Sequence, residues 1–153
     1  MAASSTRHVP FAYTFFFSNL DPLVALYGVY LNFAAPETAV SSVAPGSAYD
    51  PRQAFLFHQA GGLALAVSVF SAALPRLSAD LSVWRAFQFA LLLSDFAGLS
   101  GMYFSLESQG RLRPADWTGD DVGAGGSYAF LTVLRLAFLL GVGFAKPSSN
   151  KDR

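Results

Sequence analysis

Residues 83–105 read VWRAFQFALLLSDFAGLSGMYFS, an apolar run whose only charged residues are Arg85 and Asp95. At a rise of about 1.5 Å per residue, a helix of this length crosses a hydrocarbon core of about 30 Å. Three further stretches of similar length and composition lie at 11–35, 53–74 and 127–145. Apolar residues surround each predicted helix and leave no polar face, which argues against a soluble bundle. The sequence therefore predicts an all-α, four-helix transmembrane bundle.

The overall composition supports the same class. Hydrophobic residues make up 53% of the 153-residue chain and charged residues 13%, about half the charged fraction of soluble domains. Ten basic and ten acidic residues cancel, which excludes a strongly basic surface for nucleic acid. Cysteine is absent and histidine occurs twice, so we expect no disulfide, no metal and no cofactor. We expect a single membrane domain over 1–153, with polar tails at 1–8 and 146–153.

The charges of the tails and loops predict the orientation. Basic residues at the two tails and the second loop are Arg7, Arg76, Arg85, Lys146, Lys151 and Arg153. Those in the first and third loops are Arg52, Arg111 and Arg113. Because cytoplasmic segments carry the excess of Lys and Arg, both termini are expected in the cytoplasm. We expect a multi-pass protein of the endoplasmic reticulum or another endomembrane.

Three ionisable residues, Asp21, Asp95 and Arg135, lie within the predicted spans and near the midplane. Each costs on the order of 3 kcal/mol at that depth, so we expect the three to face the bundle interior and to pair. If the guanidinium matches only one carboxylate, the other carboxyl is expected to be desolvated and therefore partly neutral. A neutral acid beside a charged one can divide acid and base roles. The cluster also fits a structural role in helix register and packing, and both interpretations stay open.

Four further residues are candidates for contacts to a bound molecule. Asn19 lies at the same level as the first aspartate, and His58 and Gln59 lie near the loop end of the second span. Trp117 lies in the third loop. Histidine can move protons near neutral pH, and tryptophan often marks the membrane interface. For His58 and Trp117, packing or interface roles are the alternatives.

Proline and glycine predict where the helices break. Pro22 removes a backbone donor, so the first span is expected to kink and to leave the Ser18 carbonyl unpaired. A short turn is expected around Pro75, which would make the second and third spans antiparallel neighbours. The glycine run at 123–126 fits no phosphate-binding pattern. We expect the third loop, 106–126, to be a mobile linker and the first loop to be flexible.

The order and spacing of these landmarks resemble a family of small fungal four-span membrane proteins of unknown function. The segments that carry the resemblance, over roughly residues 9–145, are Phe15-Phe16-Phe17, Leu20-Asp21-Pro22-Leu23, His58-Gln59, Leu81-Ser82-Val83-Trp84-Arg85, Ser94-Asp95, Asp116-Trp117 and Leu134-Arg135-Leu136. The resemblance implies a fungal source and the same four-helix layout, and no reaction. A looser similarity, in size and buried acids, links the chain to fungal membrane-bound terpene cyclases, and it is an analogy only.

Two functions remain open at this point. The first is an enzyme of secondary metabolism that isomerises or cyclises a lipophilic, isoprenoid-like molecule without a cofactor. In that hypothesis Asp21 and Asp95 transfer protons and Arg135 orients or polarises the substrate. The second is a non-enzymatic membrane protein: a lipid-binding module, an assembly partner, or a small transporter subunit that works as an oligomer. Both place the chain among membrane lipids.

Overall fold

The computed structural model describes residues 9–144, and the regular structure within them is entirely helical. Five helices of more than one turn follow one another: α1 Phe11–Phe33, α2 Pro36–Val43, α3 Ala54–Leu77, α4 Leu81–Ser108 and α5 Gly119–Leu140. Short 3₁₀ turns at Pro51–Gln53 and Pro114–Asp116 precede α3 and α5. Helices α3, α4 and α5 are each long and apolar enough to cross a membrane, and α1 with α2 forms a further candidate span bent by 106°. The prediction of an all-α membrane protein is confirmed. The expected tails 1–8 and 146–153 lie outside the described residues.

The long helices pack as two close pairs, α1 with α3 and α4 with α5. Small residues permit the approach in both pairs. A Cβ added at Gly28 would lie 3.7 Å from the Cβ of Ala64, and Gly98 leaves the space that the Tyr128 ring occupies. Helices α3 and α4, the second and third spans, are joined by a short turn and were expected to be neighbours. They contact each other less than α3 contacts α1 or α4 contacts α5.

One end of the bundle contains the start of α1, the end of α5 and the α3–α4 turn, and we call it the chain-end side. An aromatic core of Tyr13, Phe17, Trp84 and Phe138 packs there. The rings of Phe17 and Phe138 meet edge to face, with 5.3 Å between centroids. The indole Nε1 of Trp84 donates to the Ser78 carbonyl at 2.8 Å. Most of the buried apolar side chains lie in this half, which is the best-packed part of the molecule.

The opposite end, the loop side, is held mainly by hydrogen bonds. The first loop, expected to be flexible, contains α2, whose end lies against α4: Ser105 Oγ donates to the Val43 carbonyl at 2.8 Å. The carboxylate of Asp121 is buried at the start of α5 and accepts from the Arg111 guanidinium. These contacts attach both loop segments to the α4–α5 pair.

Helix α5 begins earlier than the sequence pattern indicated. The expected mobile linker is wrong over 119–126, which is helical and includes the glycine run. A capping box explains the start, because Thr118 Oγ1 accepts from the Asp121 amide at 3.2 Å and the Asp121 carboxylate accepts from the Thr118 amide at 2.7 Å. The helix ends at Leu140 because Gly141 adopts a left-handed conformation with φ 77°.

The turn between α3 and α4 is also shorter than expected. Helix α3 continues through Pro75 to Leu77, which leaves residues 78–80 as the connection. Asp80 caps α4 by accepting from the Ser82 amide at 2.8 Å. The hydrogen bond from the Ser82 hydroxyl lowers the pKa of the Asp80 carboxyl below its ordinary value.

Replacing Thr118 with alanine is expected to loosen the first turns of α5. The substitution removes the hydroxyl that accepts from the Asp121 amide, and loss of such a cap costs about 1 kcal/mol. Hydrogen–deuterium exchange of 119–126 in detergent should become several-fold faster, while exchange of the α4 amides stays unchanged. Thr118→Ser keeps the hydroxyl and is the matched control. If exchange over 119–126 is already rapid in the unmodified protein, the helical start of α5 is contradicted.

Candidate functional site

Asp21, Asp95 and Arg135 meet in one buried cluster. Their exposed fractions are 3%, 5% and 3%. Arg135 Nη2 donates to Asp21 Oδ1 at 2.7 Å, and Nη1 donates to Asp95 Oδ2. Its Nε donates to Gln88 Oε1 at 3.2 Å. One guanidinium therefore bridges both carboxylates, so the expected pairing of the three residues takes the form of a bridge and not of a single matched pair.

Every long helix contributes to this cluster. Asp21 comes from α1, Gln88 and Asp95 from α4, and Arg135 from α5. From α3, Ser71 Oγ donates to Asp21 Oδ2 at 3.4 Å. Because Arg135 bonds to both α1 and α4, the cluster joins the α1–α3 pair to the α4–α5 pair.

A π turn in α1 sets the direction of Asp21. Residues Phe16–Leu20 form this turn, and the Asp21 amide donates to the Phe16 carbonyl. In a regular α-helix, eight residues advance about 80° beyond two whole turns, which would rotate Asp21 away from the face of Tyr13. The wider turn removes part of that rotation. Tyr13, Phe17 and Asp21 are consequently all buried.

Arg76 of α3 holds the same turn from outside the cluster. Pro22 has no amide hydrogen, so the Ser18 carbonyl lacks its usual helical donor, as the sequence indicated. Arg76 Nη1 donates to this carbonyl at 2.9 Å, and Nη2 donates to Asn19 Oδ1 at 3.0 Å. The interruption of α1 thus takes the form of a π turn, and its freed carbonyl is satisfied. Asn19 is exposed and lies outside the buried cluster.

Arg135 lies nearer the chain-end side than expected. It precedes the helix end at Leu140 by five residues, or about 8 Å, whereas the sequence placed it near the middle of its span. Helical side chains tilt towards the helix N-terminus, and in α5 that direction leads to the loop side. The guanidinium therefore extends inwards to reach Asp95.

His58 and Gln59 do not join the cluster. Both are exposed on α3, and His58 precedes Ser71 by thirteen residues, about 20 Å along the helix. The His58 ring instead meets Phe33 edge to face, with 5.2 Å between centroids. The contact of His58 and Gln59 with a bound molecule stays a prediction. Any such contact would lie far from Asp21 and Asp95.

Two cavities flank the α4–α5 contact on the loop side. The smaller, which we call the seam pocket, has a volume of about 210 Å³ and is lined by Ser42, Val43, Gly98, Gly101, Met102, Ser105, Asp121, Ala124 and Tyr128. The larger, the apolar groove, has a volume of about 640 Å³ and is lined by Leu99, Met102, Tyr103, Leu106, Leu112, Trp117, Val122, Gly125, Gly126 and Ala129. Of the residues predicted to contact a bound molecule, Trp117 lines this groove.

Sequence reasoning missed several polar residues that hold the site. Gln88, Ser71 and Arg76 were not assigned to it, although Gln88 and Ser71 are buried. Gln88 precedes Asp95 by seven residues, a spacing that places both on one helix face and would have indicated their association. No group of three or more His, Asp or Glu side chains within 9–144 could hold a metal ion.

Comparison with known proteins identifies a family. The model of the family described as Domain of unknown function (DUF7704) matches residues 6–145, so the chain belongs to this family. No curated protein and no solved structure matches it. The family description assigns no activity.

Replacing Arg135 with methionine is expected to lower the free energy of unfolding by about 3–5 kcal/mol, because two buried carboxylates lose their shared partner. Denaturant titration in detergent, followed by circular dichroism, measures this change. Arg113→Met is the matched control: it breaks an exposed pair with Asp116, and such pairs contribute about 0–1 kcal/mol. A loss for Arg135→Met no larger than that of the control would contradict a central role for the cluster.

Proposed function

We propose that this member of the DUF7704 family is an integral membrane protein that binds a lipophilic molecule in the apolar groove. The groove supports this proposal by its size, because small-molecule sites commonly have volumes of about 300–1,000 Å³. Its lining supports it too: leucine, valine, methionine and aromatic side chains predominate, with Trp117 at the loop end. Gly125 and Gly126 reduce the bulk of α5 beside it. The observation that carries the proposal is the apolar groove between α4 and α5. The buried cluster of Asp21, Asp95 and Arg135 has no comparable opening among the described cavities.

The cellular setting is part of the same proposal. We propose that both termini face the cytoplasm, in the endoplasmic reticulum or another endomembrane of a fungal cell. Basic residues that flank the chain-end side, Arg76 and Arg85, support the orientation by the positive-inside rule. The fungal source rests on the resemblance of the sequence landmarks alone.

Filling the groove should remove the bound molecule. Gly126 lines the groove and has no heavy atom within 4 Å of an added Cβ, so Gly126→Leu adds bulk to the groove lining from a Cβ position that meets no neighbour. We expect at least a tenfold loss of co-purifying lipophilic molecule, about the effect of two buried methylene groups. Mass spectrometry of extracts from equal amounts of purified protein measures it. Gly62→Leu on α3, equally unobstructed, is the control, and equal retention by both variants would contradict groove binding.

A second candidate function is acid–base chemistry on the bound molecule. Two carboxylates face one guanidinium in a buried site, so full ionisation leaves an unmatched negative charge, which a shared proton would cancel. In this proposal Asp21 and Asp95 move a proton and Arg135 orients or polarises the substrate. An isomerisation or cyclisation that protonates one carbon and deprotonates another returns the proton and needs no cofactor. An isoprenoid-like molecule has the double bonds that such chemistry requires.

Asparagine at position 95 tests this second candidate. Asp95→Asn is nearly isosteric but cannot transfer a proton, so turnover should fall by about 10²–10⁴-fold with the yield of folded protein unchanged. The assay follows conversion of the co-purified molecule into a product of equal mass by chromatography. Asp95→Glu keeps the carboxyl and should retain measurable turnover, whereas Asp116→Asn controls for loss of an exposed carboxylate. Unchanged turnover in Asp95→Asn, or collapse of its yield with no turnover in Asp95→Glu, would assign the cluster a structural role.

A further inference from the structure

The indole of Trp117 distinguishes the loop end of the apolar groove. Trp117 follows the 3₁₀ turn Pro114–Asp116 and precedes the cap of α5, so it lies outside the long helices. Its Nε1 is buried and has no hydrogen-bond partner among residues 9–144. A buried donor without an acceptor is costly and uncommon in native proteins. An occupant of the groove that carries an acceptor would relieve this cost.

We infer that the groove binds a single-chain lipid with an uncharged hydrogen-bond acceptor, such as an ester or ketone oxygen, placed at Trp117 Nε1. The inference rests on the proposed function, since it names the class of molecule that the groove takes. Because Nε1 is enclosed in the structure and does not face the groove, the inference includes a change of the Trp117 side-chain rotamer that turns the N–H towards the occupant. The apolar chain then extends along α4 towards Leu99.

The polar side chains that line the groove favour a ligand with a single hydrogen-bond acceptor, placed at Trp117. Tyr103 also lines the groove, but its hydroxyl donates to Glu107 Oε1 at 3.4 Å. Trp117 is thus the side chain in the described lining with a strong donor still to be satisfied. A donor at one end of an otherwise apolar cavity fixes the orientation of its ligand.

The charges around the groove favour an uncharged acceptor. No lysine or arginine is among the lining residues. The nearby guanidinium of Arg111 is occupied, since it donates to the Asp121 carboxylate and, through Nη2, to Gln109 Oε1 at 2.8 Å. A carboxylate or phosphate in the groove would therefore lack a cation, and burying it would be unfavourable.

The dimensions favour one chain. Leu99 and Leu106 mark the two levels of the groove on α4, seven residues or about 10 Å apart. Leu112 and Trp117 extend it beyond the helix on the loop side. A site of this length and about 640 Å³ accommodates one apolar chain with its polar end near the interface, where tryptophan is common.

Binding of matched probes tests the inference. Radiolabelled methyl palmitate, palmitate and hexadecane share a chain length and differ in the acceptor and its charge. Equilibrium binding to the full chain in detergent should show methyl palmitate binding about fivefold more tightly than hexadecane, the effect of one hydrogen bond. Palmitate, ionised at neutral pH, should bind more weakly than the ester. Trp117→Phe keeps an aromatic ring without the N–H and should abolish the preference for the ester, whereas Tyr103→Phe should preserve it.

The outcomes separate this inference from the proposed function. If none of the probes binds the unmodified protein, groove binding of lipophilic molecules is itself contradicted. If ester and hydrocarbon bind equally, or Trp117→Phe weakens both by the same factor, the donor role is overturned while groove binding stands. Tighter binding of palmitate than of its ester would overturn the uncharged class. Helix content and monodisperse elution of both variants exclude misfolding as the cause.

Discussion

The rest of the structure depends on the pairing of one arginine with two aspartates in an apolar interior. A guanidinium inside a membrane bundle has no water to accept its hydrogen bonds, so acceptors from neighbouring helices must surround it. Arg135 finds them on two helices, Asp21 on α1 and Asp95 on α4, with Gln88 as a third. Because these acceptors belong to different helix pairs, satisfying the arginine also specifies how the two pairs are placed.

The π turn of α1 is a consequence of that requirement. Asp21 and the aromatic residues before it must both face inwards, although regular helical geometry would separate their directions. The turn solves this problem but frees the Ser18 carbonyl, which Pro22 cannot satisfy. Arg76 supplies the donor from α3. Helix α3, which contributes no charge to the cluster, thus stabilises it by holding α1 in the necessary register.

Concentrating the packing at one end leaves the other end open. The aromatic core and the charged cluster both lie in the chain-end half, where Phe17 and Phe138 are fully buried. On the loop side, Gly126 and the hydrogen-bonded loops leave space between α4 and α5, whereas the Met102 side chain fills the space beside Gly125. The same distribution of side chains therefore produces a closed cluster and an open groove.

The sequence allowed the charged part of the site to be predicted, and the reason is energetic. Asp21, Asp95 and Arg135 are conspicuous because charge inside an apolar span needs a partner. Gln88 and Ser71 are uncharged, so the argument that a buried charge needs a partner does not mark them. The glycine run at 123–126 was misread because glycine usually indicates a linker, whereas the Thr118–Asp121 capping box starts a helix there.

The arrangement of the cavities bears on how binding and chemistry are related. Leu99, at the inner end of the groove, follows Asp95 by one helical turn and shares its face of α4. On α5, Thr132 lies one turn from Arg135, and its buried hydroxyl has no partner within the described chain. Tyr128 lines the seam pocket and packs on Gly98, which follows Asp95 by three residues on α4. Neither Asp21 nor Asp95 lines either cavity, and both are buried. Binding in the cavities therefore requires no rearrangement of the cluster, whereas proton transfer to a bound molecule requires the side chains that bury the acids to move.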